Sequence, residues 1–437
     1  MPARQPHAKP LPVVGSLIEC NDMRTLARAA LLPLLLFPSL LSAAPPLQAG
    51  PAFKVGAGGG SQVAVFPDGG FVVVWNALSN QQPNAGTLYA RLFDRKGRAV
   101  TGEIEILRPA GQIVDSVAAL PNGFVVVWDQ VNRHQTYIYS VFARVFDRTG
   151  APLGPPAKIH RSSPYSRCCA QVAAAPGGGF AVAWTAVAGT DHAPDYSLTS
   201  SVLRRFFDPT GKPLGPEPPE PPVSPPFSQE DFNWSDALAV TPEGVLRDVI
   251  FEQSDGSYLN VEDFDGSHAT GYEIHGSPAD DAAGLDPKNT GASLLADGSF
   301  VLAWSSDYLF LFKSTSDIYA QRFRADGTPT SSVPLKVSVR SGREIDPVVT
   351  ALADGGFVVL WSEIGASPDR PVLGVFGRFF SATGRATTQE FPLSTPGTGP
   401  QYFYAAATGP NGDVVATWSQ PDPNGGVYAR ILRAGRH

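Results

Sequence analysis

Residues 61–107 read SQVAVFPDGGFVVVWNALSNQQPNAGTLYARLFDRKGRAVTGEIEIL, and this stretch decides the fold. It holds four runs of strand character separated by glycine-bearing turns. The run FVVVW at 71–75 is apolar throughout, as expected of a strand covered on both faces. Asp68-Gly69-Gly70 before it is a hairpin signal, because glycine supplies the positive φ that tight turns need. FDRKG at 93–97 marks a second turn ahead of the last run. The same unit returns down the chain. Trp75, Trp128, Trp184, Trp304, Trp361 and Trp418 end the second runs, and Phe251 takes that place in the fourth copy, so seven units are expected. Each is introduced by its own turn, including Asn122-Gly123, Gly178-Gly179, Glu243-Gly244, Asp297-Gly298, Asp354-Gly355 and Asn411-Gly412.

Strand character also predicts position. First runs rich in alanine (VAAL at 117–120, VAAA at 172–175, AAAT at 405–408) suit the crowded centre of a ring. The seventh copy has three runs and no fourth, while an orphan run, AFKVG at 52–56, stands before the first copy. Lending that run to the last unit closes a circle and removes an exposed sheet edge. The reading is all-β: a seven-bladed β-propeller of four-stranded blades spanning 45–437, closed by the N-terminal strand 52–56 pairing with the last blade.

The DGGFVVVW run followed by YARxFDxxG resembles repeats of exported bacterial β-propeller proteins, including adhesin-like and RTX-type chains. The resemblance covers the mature chain. It implies an exported binding or structural role and brings no catalytic residues with it.

Upstream, residues 23–44 read as a signal peptide: Arg24 and Arg28, then an apolar run, then Ser42-Ala43-Ala44 for cleavage. Translation is expected to start at Met23, leaving residues 1–22 as a mis-annotated start. The apolar run is short and broken by Pro33 and Pro38, so no membrane span is expected. The protein should be secreted or periplasmic. The formal charge is −7, and −9 without residues 1–44, which argues against a nucleic-acid partner. The acidity is concentrated: residues 228–286 hold fourteen acidic side chains against Arg247 alone.

Several residues invite a functional reading. Asp115, Asp236 and Asp346, with Asn289 in the corresponding place of the fifth copy, should stand near the channel mouth, where converging carboxylates can hold Ca²⁺. Each aspartate can equally cap a turn. Glu262, Asp263 and Asp265, and Asp280 and Asp281, are further acidic groups able to bind Ca²⁺ or form a solvated face. Tyr137, Tyr139, Tyr196, Tyr308, Phe310 and Phe312 fall in the loops after the second strands, a platform for a glycan, peptide or envelope protein unless some of them extend strands. Cys168 and Cys169 can form a vicinal disulfide, stay buried as thiols, or bond another chain. Arg91, Arg144, Arg205, Arg378 and Arg430 recur on the third strands and are expected to bind neighbouring blades. A binding or adhesion module leads. A Ca²⁺-dependent propeller hydrolase or lactonase and a scaffold domain are the alternatives.

Overall fold

The computed structural model describes residues 48–79, 82–110, 112–131, 139–161, 166–190, 197–219, 232–253, 257–264, 269–274, 288–295, 297–305, 316–340, 342–364, 372–395, 402–420 and 426–433. They form seven antiparallel sheets, each made of consecutive strands in simple up-and-down order, apart from one exchange at the ends of the chain. This is a seven-bladed β-propeller, contained in the compact unit Ala44–His437. No helix among the described residues is long and apolar enough to cross a membrane.

The unbroken apolar second strand follows from the side-chain period of two. In the first blade, Phe71, Val73 and Trp75 pack against Val415, Val427 and Ile431 of the seventh. Val72 and Val74 point the other way, onto Val117, Val126 and Trp128 of the second. Two dry interfaces share one strand, so no position is left for a polar side chain. The six repeated tryptophans are at most 1% exposed. Five blades also stack a phenylalanine from strand two on one from strand three, as Phe124 does on Phe146 at 4.9 Å.

The expected ring closure is present. Phe53–Gly56 lies antiparallel beside Gly426–Arg433, with Phe53 opposite Ala429 and Lys54 opposite Tyr428. Val55 is completely buried there. Gln48–Ala49 continues the pairing opposite Arg433 and Leu432.

The repeated arginines bridge blades as the sequence suggested. Arg91 donates from Nη1 to the Val55 carbonyl at 3.0 Å, Arg144 to Ile106 at 3.0 Å, Arg378 to Val337 at 2.9 Å and Arg430 to Pro392 at 3.2 Å. The carbonyls of Val55, Ile106 and Pro392 belong to the outer strand of the preceding blade, and that of Val337 directly follows one, Leu335–Lys336. Arg91, Arg144 and Arg378 also lie over the phenylalanine two residues on. Arg205 differs, bonding Gly215 of its own blade.

The fourth blade corrects one sequence expectation. In five blades the positive-φ turn glycine precedes the tryptophan by six residues, as Gly69 precedes Trp75; Gly244, at φ 88°, therefore puts Ile250 in that place, not Phe251. Val249 then faces the fifth blade, packing with Leu302 and Trp304. Asp248 and its cross-strand partner Glu262 occupy the places held by Val73 and Arg91 in the first blade. The sign of the bridge is thereby reversed. Arg204 of the third blade supplies the cation, bonding Asp248 Oδ2 at 2.7 Å and Glu262 Oε2 at 2.8 Å. Ser235 Oγ donates to Asp248 Oδ1 at 2.6 Å.

The segments expected as loops after strand two are partly strand. Phe71–Ser79 and Phe180–Thr190 carry on past their tryptophans and pair with Gln82–Phe93 and Ser197–Phe207. Long two-stranded arms therefore rise on that face in the first and third blades.

Candidate functional site

Each inner strand carries one β-bulge beside the tryptophan place. The register skips at Gly60, Asp115, Asp236, Asn289 and Tyr404 as single extra residues, and by one residue across Cys169-Ala170 and across Asp346-Pro347. A bulge leaves its residue out of the ladder and re-aims it. The bulges fall in the first half or at the middle of the inner strands, towards the end from which the strand-two loops emerge. The ring thus repeats its framework and places a bulge opposite the tryptophan place in each blade, with aspartate at three of the seven bulges and other residues at the rest. Asp115, Asp236, Asn289 and Asp346, which the sequence placed together, all lie in the bulge opposite the tryptophan place, Asn289 just before the residue paired there and Asp115 and Asp236 just after it. Gly60, Cys169 and Tyr404 join them, and only register reveals it.

Asp115 has a close neighbour. Its carboxyl is buried against that of Asp129, the residue after Trp128. Burial and the Asp129 charge push the Asp115 carboxyl well up, and burial raises Asp129 to about 6. Asp115 Oδ2 and Asp129 Oδ1 have no hydrogen-bond partner. The two carboxyls hydrogen-bond each other, an arrangement that requires a proton on one of them, and the larger upward push on Asp115 favours that one. The other Asp129 oxygen accepts the backbone N–H of Cys169 across the seam between the second and third blades, at 3.2 Å.

At Cys169 the backbone turns to φ 59°, one of two positive values among described non-glycine residues; the other is Asp346, at φ 51°. The sulfurs of Cys168 and Cys169 lie 2.7 Å apart. Cys169 is exposed and Cys168 half-buried. The hydrogen bond with Cys169 and burial push the Cys168 thiol up. Burial likewise raises the Asp346 carboxyl.

A second pair of acids was not anticipated. Glu344 and Glu363 stand directly opposite on the first two strands of the sixth blade. Glu344 is completely buried, and neither of its carboxylate oxygens has a hydrogen-bond partner. Burial lifts it to about 8, which favours the protonated form at neutral pH. Glu363, also raised by burial, has the Arg340 guanidinium 3.4 Å away. Their nearest sequence signal is a polar residue interrupting an apolar strand end, which every blade shows in some form.

The remaining candidates do not gather. Glu262 is taken by Arg204, and Asp263 is held by two parallel 2.7 Å bonds from Arg247. Tyr139 is half-buried at the start of its strand, its N–H donating to Ser166 Oγ at 3.2 Å. Tyr137, Tyr196, Tyr308, Phe310, Phe312, Asp265, Asp280 and Asp281 lie outside the described residues, and Asp236 and Asn289 are described in their backbone alone. Among the described residues no group of three or more His, Cys, Asp and Glu side chains is arranged to hold a metal ion.

These features define the protein by class, a closed propeller with a bulge ring on its loop face. No protein-family model and no curated protein sequence matches the chain. Among solved structures it is similar to a fungal alcohol oxidase of the AA5 family in complex with copper, at 13% identity and a TM-score of 0.50, covering 89% of this chain and 76% of the other. A protein of unknown function from Dyadobacter fermentans matches at 13% identity and a TM-score of 0.48, over 89% and 99% of the two chains. The α-L-arabinanase of Penicillium chrysogenum complexed with arabinobiose gives 11% and 0.43, over 80% and 99%. At such identities the likeness speaks for the fold alone.

Proposed function

We propose that this chain is an exported binding module that holds a glycan on the bulge-ring face of the propeller. The observation that supports the reading is the contrast between a framework that recurs from blade to blade and a bulge whose residues vary among glycine, aspartate, cysteine, asparagine and tyrosine. Tryptophans, stacked phenylalanines and arginine bridges recur because each blade meets the same packing problem. The bulge residues answer no such common need. Aspartate, asparagine and tyrosine occur among the bulge residues, and Asp346 contributes a half-buried carboxyl of the kind that accepts from sugar hydroxyls. A rigid scaffold under variable residues is also where binding commonly resides.

Glycan-array screening of residues 45–437, followed by calorimetry on the strongest hit, tests this. Binding should weaken at least tenfold in Asp346→Ala and stay unchanged in Arg385→Ala, which alters a turn on the opposite side of the blade. An array without hits, or equal affinity for the two variants, would remove the proposal. Release of free sugar from the bound glycan would turn it towards the hydrolase reading.

A further inference from the structure

We infer that Cys168 and Cys169 form a built dithiol site that a disulfide oxidant closes into a vicinal disulfide at the seam between the second and third blades. The inference does not depend on the glycan reading.

In a regular strand, neighbouring side chains point to opposite faces, so adjacent cysteines cannot bring their sulfurs together. Here the register slips between Cys168 and Gln171, and Cys169 turns to φ 59°. That local bend puts both sulfurs on one side, 2.7 Å apart. The other six inner strands bulge without a cysteine at either flank, so the bulge belongs to the framework and the cysteine pair makes specific use of it. The bend is held in place from the neighbouring blade, where Asp129 accepts the Cys169 N–H. Ser116 Oγ accepts the Val172 N–H just beyond, at 3.3 Å.

Exposure gives the two sulfurs different roles. Cys169 is open to solvent and is the attacking thiol; Cys168, half-buried, resolves. Cys169 loses its proton to solvent and its sulfur attacks one sulfur of the oxidant, here glutathione disulfide. The oxidant's S–S bond breaks and one glutathione thiolate leaves, taking up a proton. Cys168 Sγ then loses its proton and attacks Cys169 Sγ, releasing the second glutathione. Two protein thiols are oxidised to one disulfide, and one glutathione disulfide is reduced to two thiols.

The test is intact-mass spectrometry of the reduced protein after glutathione disulfide treatment and alkylation, with non-reducing electrophoresis alongside. Closure predicts loss of two hydrogens, no alkylation, no glutathione adduct and no dimer, with both thiols restored by dithiothreitol. Cys168→Ser should stop at a stable glutathione adduct on Cys169, while Cys169→Ser should react much more slowly. A persistent adduct on the native protein, a disulfide-linked dimer, or two thiols that remain alkylable would each overturn the inference. Tryptophan fluorescence of both serine variants, matching the parent, shows that the ring is intact.

Discussion

Replacing Asp248 by valine puts into the fourth blade the residue that Val73, Val126, Val182 and Val359 supply at that place elsewhere. The change nevertheless should be severe. Asp248 is completely buried and Arg204 is 7% exposed, and the pair is joined at 2.7 Å. Valine would leave the guanidinium buried beside Glu262 alone, and would also strand the Ser235 hydroxyl. Breaking one side of such a pair costs about 3–5 kcal/mol. Removing both partners removes the uncompensated charge, so Asp248→Val with Arg204→Leu should recover about 2–3 kcal/mol relative to the sum of the single variants. Glu262, a third exposed, can then turn to water. Urea unfolding of the four proteins of the cycle, followed by tryptophan fluorescence, reads these differences directly. A single variant within about 1 kcal/mol of the parent, or strict additivity in the double, would show that the charge-reversed bridge does not hold these blades together.

Glu344 sets a pH dependence with a definite sign. Its proton is bound more tightly in the folded chain, at about 8, than the ordinary 4.5 of an unfolded glutamate. Its contribution to stability is therefore fully present below about pH 4.5 and is lost as pH rises through 8. Thermal unfolding across that window should show the parent falling relative to Glu344→Gln, which cannot ionise; parallel curves would contradict a protonated Glu344. Among the bridging arginines, Arg144→Leu forfeits bonds to Ile106 at 3.0 Å and Gly154 at 2.9 Å, and should cost about 2 kcal/mol in denaturant unfolding, where a loss below about 0.5 kcal/mol would mean that packing alone joins the first two blades.

Seven units, four strands in each, small inner and apolar second strands, and closure by residues 52–56 were all legible in the sequence. They rest on local signals: turn glycines, the side-chain period of two, and a missing strand at one end matched by a spare one at the other. The bridging role of Arg91 and its counterparts was legible for the same reason, since repetition itself reports a shared packing need. What the tertiary structure decided begins where the repeat breaks. Ile250 stands in the tryptophan place because a turn glycine sets the register, and apolar character could not choose between neighbours. Glu262 belongs to Arg204 because the two meet only when blades pack face to face. Cys169 and Asp115 both lie in the bulge opposite a tryptophan although their surroundings in sequence have little in common, and Asp115 and Glu344 are pushed towards their protonated forms because distant segments shut out water. Strand identity is a property of a few consecutive residues; charge, protonation and the meeting of two thiols depend on what the rest of the ring brings beside them.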